Sequence, residues 1–188
     1  MLALAWIQII EEDEAHGELK AQYEDVRQRR GSISNVMKAH SLDPQAMRLH
    51  LDLYLHLMFE GSVLTRAERE MIAVAVSNTN NCQYCAIHHG EALLAHVHDQ
   101  VLLDNIKRDV SSANITSKER AMLQYATKLT RSPGEISEED IFELRKAGFN
   151  DAEILRINLI TSYFNFANRI VSGLGIALEA SEQRVYKY

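Results

Sequence analysis

The sequence has little cysteine, proline or glycine: two, two and eight residues in a chain of 188. With hydrophobic residues at 46%, such a composition excludes a disordered or low-complexity chain and favours a compact helical one. No stretch approaches about 18 consecutive apolar residues, so no transmembrane helix is expected. Clustered positive charge is also missing. The net charge is −6 and the acids are dispersed, which argues against nucleic acid as the main partner. The one basic run, Arg27–Gln28–Arg29–Arg30, falls at an expected helix end, where cations complement the helix dipole. The apolar start, Met1 to Ile10, has no basic region before it and runs straight into acids without a cleavage-like site. It reads as a segment docking on the body through Leu2, Trp6 and Ile9. A cytoplasmic location is the expectation.

Helix signals fill the rest. Glu18–Arg29 is stopped by Gly31. Asp43 is placed to cap a helix with Pro44 at its first position and Gly61 beyond its end, and Met47, Leu51, Leu55 and Met58 recur at helical spacing. Thr65 and Glu68 form a capping box, so a helix starts near Arg66 and carries the all-apolar Met71–Val76, as a buried helix would. A break at Ser77–Asn81 follows. The next helix is expected near Cys82, with Asn80 or Asn81 as its cap, running to about Lys107. Thr116 and Glu119 form a second capping box. Ser137 caps a short helix ended by Gly148, and Asp151 opens a long final helix with an interruption near Gly173. No strand pattern competes, so the fold class is all-α. Leu64–Ala75 and Ile115–Ala126 echo one another. Two starts built by one capping rule and a true duplication explain this equally well, and only the first copy has a carboxylate, Glu70 against Ala121.

The chemistry concentrates in Asn80–Leu94, NNCQYCAIHHGEALL, which holds both cysteines and two adjacent histidines. At 100° per residue with Cys85 at zero, Cys82 falls at about +60°, His89 at about +40° and His88 at about −60°. His89 therefore shares a stripe with both cysteines, His88 stands aside, and the stripe borders the apolar face of Ala86, Leu93, Val97 and Val101. That is the place for a half-shielded thiol. A zinc site needs about four ligands, usually with a second distant pair, and none exists here. A bridge across three residues closes too small a loop to stabilise much. A redox dithiol fits best. The helix N-terminus favours a thiolate, and His89 lies one turn below Cys85, about 6 Å along the axis, against about 10.5 Å from Cys82. Glu70, at the start of the apolar run, is either a surface acid or a proton carrier.

Glu70, twelve residues before Cys82-Gln-Tyr-Cys85 and followed by His89, resembles the signature of the alkylhydroperoxidase D-like (AhpD-like) branch of the carboxymuconolactone decarboxylase superfamily. Within it the chain is similar to proteins labelled peroxidase-related, through WIQII, RRGSISNVMKAHSLDP, EREMIAVAVSNTNNCQYC and YFNFANRIVSGLGI. The resemblance implies a single AhpD-like helical domain over 1–188, with an N-terminal extension (1–62), redox-motif helices (63–110) and C-terminal helices (115–180). It implies Cys85 as peroxidatic thiol, Cys82 as its resolving partner, and Glu70 and His89 as a proton relay, with Tyr84 and His88 as supporting neighbours. Tyr84 stands where the best-studied branch often has His, so neither the relay nor the reductant need follow that branch. The implied activity is reduction of a small hydroperoxide. It needs no bound cofactor and no metal; an external thiol or dithiol, free or on a protein, recycles the disulfide. A homo-oligomer is expected, with neither nucleic acid nor membrane as partner. A redox sensor using the same thiols remains open. A non-redox decarboxylase is disfavoured by the cysteine pair, which such branches generally lack.

Overall fold

The structure, a computed structural model, describes residues 4–61 and 63–180. Among them nine α-helices form and no strand does. They are α1 (Gly17–Arg30), α2 (Asn35–Lys38), α3 (Pro44–Met58), α4 (Arg66–Thr79), α5 (Gln83–Val97), α6 (Gln100–Arg108), α7 (Ser117–Arg131), α8 (Glu138–Lys146) and α9 (Asp151–Gly173). The all-α expectation holds. The chain divides into two compact units, residues 1–56 with 170–188, and residues 57–169.

In the first unit Leu19, Tyr23 and Val26 of α1 pack with Ile33, Met37, Met47 and Leu51. The N-terminal segment docks differently from the expectation. Trp6 is 78% exposed and Ile9 half-buried, while Leu2 lies outside the described residues. The attachment is made by main chain: the Trp6 N–H donates to the Leu174 carbonyl at 2.8 Å, and the Ala177 N–H to the Leu4 carbonyl at 2.9 Å. The indole lies over Gly175, whose φ is +58° and where a Cβ would stand 2.1 Å from the ring. Only glycine meets both conditions.

In the second unit α4 is the central element, packed against α5, α6 and α7. Met71 to Val76 are each at most 3% exposed. Burying Ile72, Val74 and Val76 is worth about 1.5–3 kcal/mol apiece. Their weak helix propensity costs below about 0.7 kcal/mol each, so packing decides the conformation. Both capping boxes form. Glu68 N–H donates to Thr65 Oγ1 and Glu119 N–H to Thr116 Oγ1, each at 3.2 Å, and each carboxylate accepts the N–H of its threonine. The internal echo extends to the arginine after each box. Arg69 donates back to the Leu57 and Glu60 carbonyls, and Arg120 to those of Val110, Ser111 and Ala113.

Two local expectations are corrected. Neither Asn80 nor Asn81 caps α5. Asn80 ends α4, Asn81 takes a left-handed conformation (φ 55°), and Cys82 itself is the N-cap. The Asn81 N–H reaches the Asn78 carbonyl and the Cys82 N–H the Ser77 carbonyl, at 3.0 and 2.9 Å. This pair of bonds is a Schellman closure of α4, which leaves the asparagine side chains for other partners. Nor does one helix run to Lys107. His98 turns left-handed (φ 52°), and Asp99 caps a new helix through the Leu102 N–H at 2.9 Å. Val101, assigned to the buried stripe of a continuous helix, is consequently 69% exposed.

Candidate active site

The three-residue turn between α4 and α5 reverses the chain, so the start of α4 meets the second turn of α5. Glu70 is 0% exposed, in the middle of the apolar core. Its two carboxylate oxygens have different partners. Oε1 accepts from Arg66 Nε at 2.8 Å, with Arg66 Nη2 at 2.7 Å, and Oε2 lies 2.7 Å from His89 Nδ1. Of the two alternatives for Glu70, the surface acid is therefore excluded by its burial. A carboxylate oxygen accepts, so Nδ1 of His89 donates, and the proton exchange of the ring is left to Nε2. Burial pushes the Glu70 carboxyl up, but His89 and then Arg66 outweigh it and hold it below the ordinary carboxylate range.

Aromatic rings pack against Arg66 and His89, the two partners of Glu70. The Arg66 guanidinium lies 3.8 Å from the Phe59 ring centroid, and His89 meets the buried Phe164 edge-on at 4.5 Å. The first contact is a cation–π pair and the second an edge-to-face ring pair. Arg66, Phe59 and Phe164 do not emerge from the sequence as site residues. Arg66 carried a signal, since it lies four residues before Glu70, the spacing of an ion pair on one helix face. The two phenylalanines carried none, because only the packing of distant segments brings them here.

Cys82 and Cys85 are thiols rather than a disulfide, and both are buried, at 3% and 5% exposure. This is deeper than the half-shielded position expected from the helical stripe. Cys82 caps α5 and Cys85 lies in its first turn, at the positive end of the helix dipole. His89 is one turn further on. His88 takes no part in the Glu70 clamp; its ring is paired with that of Tyr84, centroids 4.5 Å apart. Among the described residues no three His, Cys, Asp or Glu side chains gather as a metal site.

A dithiol at a helix start beside a buried Glu–His pair defines a class of helical thiol site. The comparisons then place the chain. The carboxymuconolactone decarboxylase family model matches residues 44–128. An uncharacterised peroxidase-related protein from Silicibacter sp. TM1040 is 32% identical, with 97% of this chain and 93% of that one covered and a TM-score of 0.81. An AhpD-core, peroxidase-related protein from Ralstonia eutropha JMP134 is 28% identical over the whole of both chains, with a TM-score of 0.86. The debrominase Bmp8 shares the fold at 18% identity and a TM-score of 0.75, over 96% of this chain and 94% of its own. No curated protein matches the sequence. The chain belongs to the carboxymuconolactone decarboxylase family and has the AhpD-like helical fold, one associated with enzymes.

Arg66→Met leaves the buried carboxylate with His89 alone. Removing one partner of a buried pair costs on the order of 3 kcal/mol. The effect also depends on pH. Glu70 is depressed in the folded protein, so its ionised form contributes stability above the unfolded carboxyl pKa, and that contribution is lost as pH falls through the folded value. Without Arg66 the folded value moves up toward the unfolded one, so the acid loss of stability becomes smaller and is complete at higher pH. Urea unfolding of both proteins between about pH 3 and 7 measures this. Acid limbs that superimpose would mean that Arg66 does not control the charge on Glu70.

Proposed function

We propose that the protein is a thiol-dependent peroxidase that reduces small hydroperoxides through Cys85 and Cys82. The observation that carries the reading is the 2.7 Å contact between Glu70 and His89 Nδ1, on the same helix as the thiols. It leaves Nε2 for proton exchange, in a ring one turn from Cys85. The peroxidase-related neighbours support the same chemistry.

The thiolate of Cys85 attacks the distal oxygen of the hydroperoxide. An S–O bond forms, the O–O bond breaks, and the alkoxide or hydroxide leaves with a proton delivered through His89. Sulfur loses two electrons and the peroxide gains them, leaving Cys85 as a sulfenic acid. The Cys82 thiolate then attacks that sulfur, the S–S bond forms, and the oxygen departs as water. An external dithiol returns both thiols by two exchange steps and is itself oxidised to a disulfide. Glu70 holds the imidazole and balances its charge when protonated. No bound cofactor or metal takes part. A cytoplasmic, reducing setting suits the recycling step. Among the described residues no helix is long and apolar enough to cross a membrane.

Assembly as a homo-oligomer belongs to this proposal. Met71–Val76 is covered by the chain itself, but Leu155, Leu159 and Phe166 on α9 are 59%, 41% and 50% exposed. A second copy covering them gives a light-scattering mass that is a multiple of 21.4 kDa; the monomer mass at micromolar concentration would contradict this.

The roles are tested by substitution. Cys82→Ser consumes one equivalent of hydroperoxide and stops as a sulfenic acid that dimedone traps, whereas Cys85→Ser consumes almost none. Glu70→Gln slows disulfide formation by about 10²–10⁴-fold. His89→Ala moves the pH dependence of Cys85 alkylation upward, and His88→Ala leaves it in place. Sustained turnover with excess hydroperoxide and dithiol separates an enzyme from a sensor, which stops after one disulfide. Equal peroxide loss in the two cysteine variants would overturn the assignment of Cys85 as the attacking thiol and Cys82 as its resolving partner.

A further inference from the structure

The turn that carries Cys82 is held from outside by a line of amides. Asn168 of α9 is 1% exposed and donates through Nδ2 to the hydroxyl of Ser77, itself 0% exposed, at 3.2 Å. Asn168 Oδ1 accepts from Asn80 Nδ2 at 3.0 Å, and the same Nδ2 lies 3.1 Å from Asn165 Oδ1. Asn165 is fixed in turn by the Thr130 hydroxyl and the Thr161 carbonyl, at 2.9 and 3.0 Å, and by Arg169, 2.8 Å from its Oδ1. Ser77 thus has two partners of different kinds: Asn168 at its hydroxyl, and the Cys82 N–H at its carbonyl.

Cys82 depends on this turn more than Cys85 does. Cys85 lies inside α5. Cys82 stands between two helices, the last residue of the α4 closure and the cap of α5 at once. Its main-chain position is set by its N–H to Ser77 and its carbonyl to the Ala86 N–H, at 2.9 and 3.0 Å. The residue before it, Asn81, has a positive φ, a conformation that asparagine takes more readily than most residues with a side chain and that the Schellman closure requires here.

We propose that Asn168 and Asn80, with Ser77, are positioning residues that hold Cys82 where its sulfur closes on Cys85, so that they govern disulfide closure and not the attack on peroxide. The inference rests on the roles given to the two cysteines under the proposed function. Closure is intramolecular and its rate follows the fraction of time the two sulfurs are aligned. The first step uses Cys85, His89 and Glu70, which are positioned by α5 itself and by the Arg66–Glu70–His89 clamp.

The test uses the full-length protein with Asn168→Ala, Ser77→Ala and the double variant, beside Leu144→Ala, a buried change in α8 that lowers stability away from the turn. One arm adds a single equivalent of hydroperoxide with dimedone and measures peroxide loss and the Cys85 adduct by mass spectrometry. A second arm oxidises the dithiol with diamide and poises it against glutathione buffers, which needs no peroxide. Misplacing a reacting group by about 1 Å costs up to about 10²-fold, so closure slows by at least about tenfold in the turn variants. The dimedone adduct rises and the equilibrium moves toward the dithiol, while the first peroxide step stays within about twofold of wild type. The double variant is no worse than the sum predicts, because one chain of bonds is broken twice. Leu144→Ala lowers the melting temperature and leaves partition and equilibrium alone. Unchanged partition and equilibrium in the turn variants, or a first step slowed as much as closure, overturns the proposal. If wild type consumes no hydroperoxide, the peroxidase reading fails separately, and the diamide arm decides the positioning role by the same criterion.

Discussion

An ionised carboxylate with no exposure to solvent is the constraint on which the site depends. Glu70 lies in a helix whose neighbouring residues are chosen for apolar packing, and an unpaired charge there would cost far more than any one packing contact returns. The structure offsets this with two donors, one at each oxygen. Arg66 comes from the same helix, one turn earlier. His89 comes from α5, and its approach requires α4 and α5 to be antiparallel and closely packed. The helix pairing and the imidazole orientation are therefore one arrangement. A shift of α5 that broke the His89 contact would leave half of a buried charge uncompensated, so the position of the ring is enforced by the core and not merely permitted by it.

The turn joining these helices has the complementary task. A carboxylate clamp can fix His89 and, through the helix, Cys85, but it cannot fix a residue before the helix begins. Cys82 is such a residue. Its main chain is tied to the end of α4 by the Schellman closure, and that closure is braced from α9 and α7 by Asn168, Asn165 and Thr130. The two sulfurs thus belong to two separate supports, one ionic and one amide. Both are buried, at most 5% exposed.

Much of the fold was legible because local rules and packing agree. Thr65–Glu68, Thr116–Glu119 and Ser137 start helices where capping chemistry says they should, and the apolar Met71–Val76 is buried as its composition requires. The errors arise where a local rule has two solutions. An asparagine before a helix suggests a cap, but here Asn80 is claimed by amides 85 and 88 residues away, and Asn81 supplies a backbone conformation instead. His98 breaks a continuous periodic pattern without glycine or proline to announce it. In the site, the spacing of Glu70, Cys82, Cys85 and His89 was visible, and so was the family resemblance. The partner of Glu70 on its own helix was available from the four-residue spacing. The aromatic walls, Phe59 and Phe164, were not, because no spacing rule relates residues that only tertiary packing brings together.

The central claim is that Glu70 fixes which nitrogen of His89 carries the proton. It is tested most directly by nitrogen-15 NMR of the imidazole in protein lacking both thiols, Cys82→Ser with Cys85→Ser, at a pH where the ring is neutral. The expected result is the tautomer protonated at Nδ1, with a strongly hydrogen-bonded Nδ1 proton, and loss of that preference when Glu70 is replaced by alanine. A ring protonated at Nε2, or one whose tautomer is indifferent to Glu70, would contradict it.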